Sequence, residues 1–253
     1  MKIARFSRNG KIAYGVVEDD KVREISGDIF GEYTVTQTTY NLNDVEILAP
    51  IIPSKLVAIG LNYVDHAEET KMPLPKVPLI FFKAPSAIIG PGQDIIIPRD
   101  SRRTDYEAEL GVVIGKKARY VKESEALDYV LGYICCNDVS ERDIQRSDGQ
   151  FARAKSFDTF APCGPYIVTD IDPSDLKIEL IQNGVVKQSS RTSKLVFNVP
   201  QLISFITRAM TLLPGDIIST GTPAGVGPMH PGDTIEVRIE KIGSLINRVK
   251  LEE

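Results

Sequence analysis

The sequence predicts a mainly β fold of the α+β type, with a small β meander over residues 1–50 and a larger domain over residues 51–253. Three observations predict it. Short runs of β-branched and apolar residues recur along the whole chain, and Gly, Pro, Asn and Asp punctuate them. Helical periodicity is rare. The few helical stretches do not alternate with the strand-like runs, which argues against a parallel βαβ sheet.

In the first part, Lys2 to Phe6, Ile12 to Val17 and Val22 to Ile25 read as strands, separated by Arg8-Asn9-Gly10 and Asp19-Asp20. Ala49-Pro50-Ile51-Ile52-Pro53-Ser54 reads as a connector. Strand-like runs follow at Lys55 to Gly60, Leu79 to Phe82, Ile95 to Pro98, Tyr106 to Gly115 and Leu131 to Cys136. Five more lie at Tyr166 to Thr169, Ile178 to Gln182, Ile217 to Thr220, Thr234 to Ile239 and Leu245 to Leu251. Glu123 to Val130 reads as a helix. Pro200 to Met210 is the clearest one, with Asn198 as cap, proline in the first turn and Leu202, Ile203, Ile206 and Met210 on one face. Ser140 reads as the N-cap of a helix that carries Arg142 and Gln145 on one side. Asn62 to Pro78 reads as a short helix followed by a proline-limited mobile loop. Pro214-Gly215-Asp216 and Pro231-Gly232-Asp233 each turn the chain into a strand.

Composition narrows the function classes. A chain of 253 residues, 42% of them hydrophobic, is long enough for one substantial core. A net charge of −4 argues against nucleic-acid binding, which favours a basic face. No run approaches the roughly 20 apolar residues of a membrane span, and Met1 to Phe6 lacks the apolar stretch of a secretory signal. A cytoplasmic enzyme is the expectation. Cys135 and Cys136 are adjacent on a predicted strand and point to opposite faces, so with Cys163 they read as buried, reduced thiols.

The chemistry centres on three carboxylates. On a strand, Glu107 and Glu109 project from the same face while Ala108 and Leu110 face the other way. Asp138 ends a second apolar run. If the two strands are neighbours, three negative oxygens converge, and like charges so close repel. A divalent cation relieves that repulsion, and an all-oxygen donor set suits magnesium, manganese or calcium rather than zinc. Taken alone, Glu-X-Glu also reads as the polar face of an edge strand. His66 and Glu69 stand three residues apart, the spacing of one helical turn, so the carboxylate can fix the ring and raise its basicity; equally, they read as an exposed histidine beside acidic residues. Lys155 has the chemistry of either a Schiff-base lysine or a hydrogen-bonding cation. Arg142 is placed to pair with Glu141 or Asp143. Lys83 is noted as a charge beside the site without a role, and His230, in a turn, is read as surface. The loop Gly221 to Gly227 fits neither the P-loop nor the dinucleotide pattern.

Together, five segments resemble the fumarylacetoacetate hydrolase family, in the family's order. They are Gly60 to Glu69, Tyr106 to Gly115, Asn137 to Gln145, Ala154 to Asp158 and Gly221 to Pro228. The likeness is to its shorter members: acylpyruvate hydrolases, 2-oxo acid decarboxylases and 2-hydroxyhepta-2,4-diene-1,7-dioate isomerases. The resemblance runs from about Leu56 to Val249 and implies a mixed β-sandwich roll. It implies that Glu107, Glu109 and Asp138 are metal ligands, His66 and Glu69 a catalytic pair, and Lys155 a catalytic-site cation. It further implies that Arg142, Gln145, Gly221 and Thr222 meet the substrate, with Thr222 at its carboxylate, and that the chain forms a homodimer. The longer members carry a further aspartate ligand ahead of the histidine. Val57 to Tyr63 offers no carboxylate, which argues against fumarylacetoacetate itself as substrate.

A 2-oxo acid is the expected partner and Mg2+ the expected ion, with Mn2+ or Ca2+ as alternatives. Its adjacent carboxylate and ketone oxygens can chelate an ion that keeps open positions, and the charge of a developing enolate is then stabilised. That device serves hydrolysis of a C–C bond, decarboxylation and dienol isomerisation alike. The sequence reading favours hydrolysis of acylpyruvates or related 2,4-dioxo acids, with water activated by His66. Decarboxylation or isomerisation of a 2-oxo dioic acid is the alternative, and a catalytically silent metabolite-binding protein is the competing class.

Overall fold

The chain folds into stacked β-sheets with four short α-helices among the described residues, as seen in a computed structural model that describes residues 1–71 and 73–253. The meander comes first. β1 (Lys2–Arg8), β2 (Lys11–Glu18) and β3 (Lys21–Gly27) fold back on one another through the predicted turns. β4 (Tyr33–Asn41) extends them. Its threonine-rich run has no buried side chain, so no apolar alternation marked it in the sequence. β5 (Glu46–Ile47) closes this part.

The larger part begins with β6 (Leu56–Gly60), α1 (Val64–Thr70) and β7 (Leu79–Lys83). Two small strands, β8 (Ile88–Ile89) and β9 (Asp94–Ile97), lead to β10 (Thr104–Tyr106) and β11 (Ala108–Ile114). The site is then assembled by β12 (Val130–Asn137), β13 (Ser140–Glu141), α2 (Arg142–Asp148) and α3 (Ala152–Lys155). The rest of the chain supplies β14 (Ala161–Val168), β15 (Lys177–Gln182), β16 (Val185–Arg191) and α4 (Val199–Ala209). It ends on β17 (Ile217–Ser219), β18 (Gly227–Pro228), β19 (Thr234–Ile239) and β20 (Gly243–Leu251).

One long mixed sheet runs β4-β3-β2-β1-β14-β12-β11-β17-β6-β7. The N-terminal meander is therefore hydrogen-bonded to the larger part through Lys2 and Ile3 on Val168 and Ile167. A second sheet runs β16-β15-β19-β20-β9, and β13-β10-β18 forms a small third. β11 lies mid-sheet and is buried on both faces. Ala108, Leu110, Val112 and Ile114 join the core made with β15, β19, β20 and α4, while Val113 joins the core made with Leu56, Ile134 and Ile217. A doubly buried strand reads as a near-continuous apolar run, as this one does. The fold is mainly β, as expected.

Several elements differ from the sequence reading. The run Tyr106 to Gly115 is two strands, because the chain leaves the ladder at Glu107 as partners change from β13 and β18 to β12 and β17. Glu141, not Ser140, caps α2: its carboxylate accepts from the Ile144 amide at 2.5 Å, while Ser140 pairs in β13. A 3-10 helix spans Glu123–Tyr129, where an α-helix was expected. α4 matches expectation and carries a full capping box, with Asn198 accepting from the Gln201 amide at 3.0 Å and Gln201 accepting from the Asn198 amide at 2.9 Å. All three cysteines are free and buried; Cys136 and Cys163 are register partners on neighbouring strands, with sulfurs 3.5 Å apart. No helix of the described residues is long and apolar enough to cross a membrane.

Candidate active site

The three carboxylates predicted to meet do meet. β11 and β12 are antiparallel neighbours, with Ala108 opposite Asn137, so Asp138 emerges beside Glu107 and Glu109. The Asp138 amide donates to the Glu107 carbonyl at 2.9 Å, and the Glu107 amide donates to the Asn137 side chain at 2.9 Å. All three carboxylates are buried, and each offers one oxygen within 4.8 Å of the others.

Their surroundings are unequal. Lys155 Nζ donates to Glu107 at 2.9 Å and to Asp138 at 2.6 Å. Arg142 bonds Glu107 through one nitrogen and Asp105 through another at 2.8 Å. Lys83, wholly buried, bonds Asp138 and donates to the Val139 carbonyl at 3.1 Å. Burial raises the Glu107 pKa, but the Lys155 and Arg142 charges outweigh it and hold the carboxyl far below its ordinary range. The donors to Glu109 are neutral: the Ser219 hydroxyl and the Gly221 amide, the latter at 2.9 Å, both reaching Oε2. Burial, with the charges of Asp138 and Glu107, pushes its pKa up to about 8. Glu109 is thus a buried carboxylate in want of a cation. A divalent ion bound to oxygen fits both the donor chemistry and that deficit.

Across from the carboxylates, Nδ1 of His66 lies 3.2 Å from Oε2 of Glu69, both on α1. The Gly225 amide donates to both Glu69 oxygens at 3.2 Å, tying α1 to the glycine loop. Asp65 anchors the same helix by accepting from Ser190 at 2.7 Å. Asn62, buried before α1, donates to the carbonyls of Thr220 and Phe197 at 2.7 and 3.0 Å and accepts from the Phe197 amide at 2.8 Å. Thr222 accepts from Gln188 at 2.8 Å, and Gln188 also donates to the Pro223 carbonyl at 2.7 Å and accepts from the Ala108 amide at 2.9 Å. Arg142 donates to Gln145 at 2.8 Å, the pairing expected of one helical face.

One cavity of about 460 Å³ unites most of the predicted residues: His66, Glu107, Glu109, Asp138, Arg142, Gln145, Lys155 and Thr222 all line it. Glu69 and Gly221 do not line it but hold residues that do, the first His66 and the second Glu109. Pro73, Pro75, Lys76, Val77 and Pro78, after α1, form part of its wall; Met72 of this predicted mobile segment lies outside the described residues. His230 is exposed, as read.

Sequence reasoning left Asn62, Gln188 and Ser219 without roles and gave Lys83 none. Gln188 and Ser219 carry no local signal, since a polar residue in a strand reads as its wet face. The signal for Lys83 was its place at the end of the apolar run Leu79 to Phe82.

Residues 55–250 match the family model "Fumarylacetoacetate (FAA) hydrolase C-terminal", and residues 1–50 match "Rv2993c-like, N-terminal". The chain is 40% identical to a 2,4-didehydro-3-deoxy-L-rhamnonate hydrolase of Sphingomonas sp., covering 96% of this chain and 94% of that protein. It is 45% identical to the mitochondrial oxaloacetate tautomerase FAHD2A of Bos taurus, covering 82% of this chain and 70% of that one. The crystal structure titled 2-hydroxyhepta-2,4-diene-1,7-dioate isomerase from Mycobacterium marinum superposes with a TM-score of 0.94 at 43% identity, over 100% of this chain and 99% of that one. With the sheets, the acidic triad and the family model in agreement over most of its length, the chain belongs to the fumarylacetoacetate hydrolase family.

Proposed function

We propose that this protein is a divalent-metal-dependent hydrolase of the C–C bond in acylpyruvates or related 2,4-dioxo acids. The observation that carries the reading is that His66, held by Glu69, lines the same cavity as three converging carboxylates. Glu107, Glu109 and Asp138 would hold the ion, with Mg2+ the first expectation; when bound it would supply a Lewis acid for the carboxylate and ketone oxygens of a 2-oxo acid.

The chain's own groups supply the rest. Glu69 orients the His66 ring, which takes a proton from water as general base. Arg142 and Gln145, held to each other, and Thr222, held by Gln188, bind and orient the oxygens of the substrate. Lys155 holds Glu107 and Asp138 in place and keeps an ammonium at the floor of the cavity. The Pro73 to Pro78 segment excludes bulk water when it closes. A second copy of the chain is the proposed partner.

Relatives named as an oxaloacetate tautomerase and a dienedioate isomerase favour a second reading, proton transfer on a 2-oxo dioic acid by the same residues. Acetylpyruvate and oxaloacetate assayed side by side, with magnesium and after chelation, separate the two. Metal-dependent release of pyruvate from acetylpyruvate supports hydrolysis. Turnover of oxaloacetate alone replaces it with the second reading. Undiminished turnover under excess chelator sinks both.

A further inference from the structure

Asp138 is held at both of its oxygens, and by unlike neighbours. Lys155, which lines the cavity, donates to Oδ2 at 2.6 Å. Lys83 donates to Oδ1; it lies on β7, its side chain is only 1% exposed, and it does not line the cavity. Its Nζ also donates to the Val139 carbonyl at 3.1 Å, so one ammonium grips both the Asp138 side chain and the backbone just after it. The backbone of Asp138 is pinned as well. Its amide donates to the Glu107 carbonyl at 2.9 Å, and its carbonyl accepts from the Ser140 hydroxyl at 2.9 Å. Little freedom is left for the carboxylate to turn.

A carboxylate has about four lone-pair positions, two on each oxygen. Oδ2, bonded to a lysine of the lining, keeps one for an ion in the cavity. Oδ1 is bonded to an ammonium outside the lining, and an ion drawn onto that oxygen as well would crowd a second positive charge against a fixed one. Asp138 can then give an ion one oxygen but not two. Ions differ in what they ask of a carboxylate. Ca2+ gathers about six to eight oxygens in flexible sets and often takes both oxygens of one carboxylate, whereas Mg2+ demands a near-octahedral set of about six at closer contact. Mn2+ accepts octahedral oxygen sites too.

We propose that Lys83 is a positioning residue that selects the ion: by holding Oδ1 it confines Asp138 to one donated oxygen, and so favours Mg2+ and Mn2+ over Ca2+. The inference rests on the reading of Glu107, Glu109 and Asp138 as ion ligands. Neutralising a buried carboxylate is the simpler duty of a buried lysine, and the two roles part on the choice of ion. Loss of a positive charge strengthens, and loss of stability weakens, the binding of every divalent cation alike. Only release of Oδ1 changes the ratio between a large ion and a small one.

The test is calorimetric titration of the metal-stripped protein with Mn2+ and with Ca2+, in the parent and in Lys83→Met. That substitution keeps most of the side chain's length and removes its charge and donors. The parent should bind Mn2+ at least about tenfold more tightly than Ca2+. Lys83→Met should narrow that ratio by about tenfold, the lower end of what loss of an outer partner costs. Where Lys83→Met does not fold, a crystal structure of the parent loaded with Mn2+ decides. Oδ1 bonded to Lys83 and off the ion upholds the inference; both Asp138 oxygens on the ion overturn it. Ca2+ bound by the parent as tightly as Mn2+, or a folded Lys83→Met in which the two affinities move together, also overturns it and leaves the ion site in place. No Mn2+ binding by the parent removes the ion site and the inference together.

Discussion

Glu107 and Asp138 are neutralised by ammonium and guanidinium groups, whereas Glu109 is held by a hydroxyl and an amide. The three positions should therefore respond alike to loss of the ion but not to substitution. Glu107→Ala, Glu109→Ala and Asp138→Ala should each weaken Mn2+ binding by more than the about 10–100-fold that loss of an outer partner costs, and each should abolish turnover. Glu107→Ala and Asp138→Ala also strand buried cations, so these two should lower the melting temperature more than Glu109→Ala does. Calorimetric titration with Mn2+ and thermal unfolding test the pair of claims; unaltered Mn2+ affinity in all three would remove the metal site. His66 separates activation from reaction. His66→Ala should cut acylpyruvate hydrolysis by about 10²–10⁴-fold, the usual contribution of a general base. Decarboxylation of oxaloacetate needs no attacking water and should suffer much less in the same preparation. Equal losses would mean that His66 positions substrate, and the water-activation role would be dropped.

At the scale of elements, α1 is a two-turn helix that cannot be stable alone. It is fixed by polar anchors: Asp65 to Ser190, Glu69 to the Gly225 amide, and Asn62 just ahead of it to Thr220 and Phe197. The chain after it is different. Leu74 and Val77 are exposed, so little apolar surface holds that stretch down. Hydrogen exchange should show α1 already protected in the free protein and residues 73–78 gaining protection when oxalate and magnesium are added. Equal protection in both states would count against closure. Asn62→Ala should destabilise the protein by about 1–3 kcal/mol, because it leaves buried backbone partners unsatisfied. It should also reduce turnover, since α1 carries His66. A melting temperature indistinguishable from that of the parent would show that these bonds are not what anchors the helix.

For the whole molecule, the meander is part of the architecture. β1 lies between β2 and β14, and Ile3, Val16, Ile25 and Ile29 share a core with Ile134, Ile167 and Ile217. Removing residues 1–50 would uncover an edge of β14 and one face of that core. A chain of residues 51–253 should lose its cooperative transition or aggregate, as measured by calorimetry and light scattering. A truncated chain that melts as the intact one does would make the meander an independent module. Sedimentation of the intact protein checks the proposed dimer at the same scale.

The sequence by itself determined the fold class, the strands with strong apolar runs, α4 with its cap, and the pairing of Glu107 with Glu109. Each depends on local chemistry: alternation of faces puts Glu107 and Glu109 together whatever the strands around them do. The His66–Glu69 spacing was legible for the same reason. Only tertiary structure decided which strands are neighbours, and therefore that Asp138 meets the glutamates, that Lys83 faces Asp138 from β7, and that Gln188 on β16 holds Thr222. It also decided that the run through Glu107 breaks between partners and that Glu141 rather than Ser140 caps α2. These outcomes turn on pairings between residues as far apart in sequence as Tyr106 and Gly227. A polar residue in a strand carries no mark of whether it will face water or a buried carboxylate, because that depends on what the other strands bring to it.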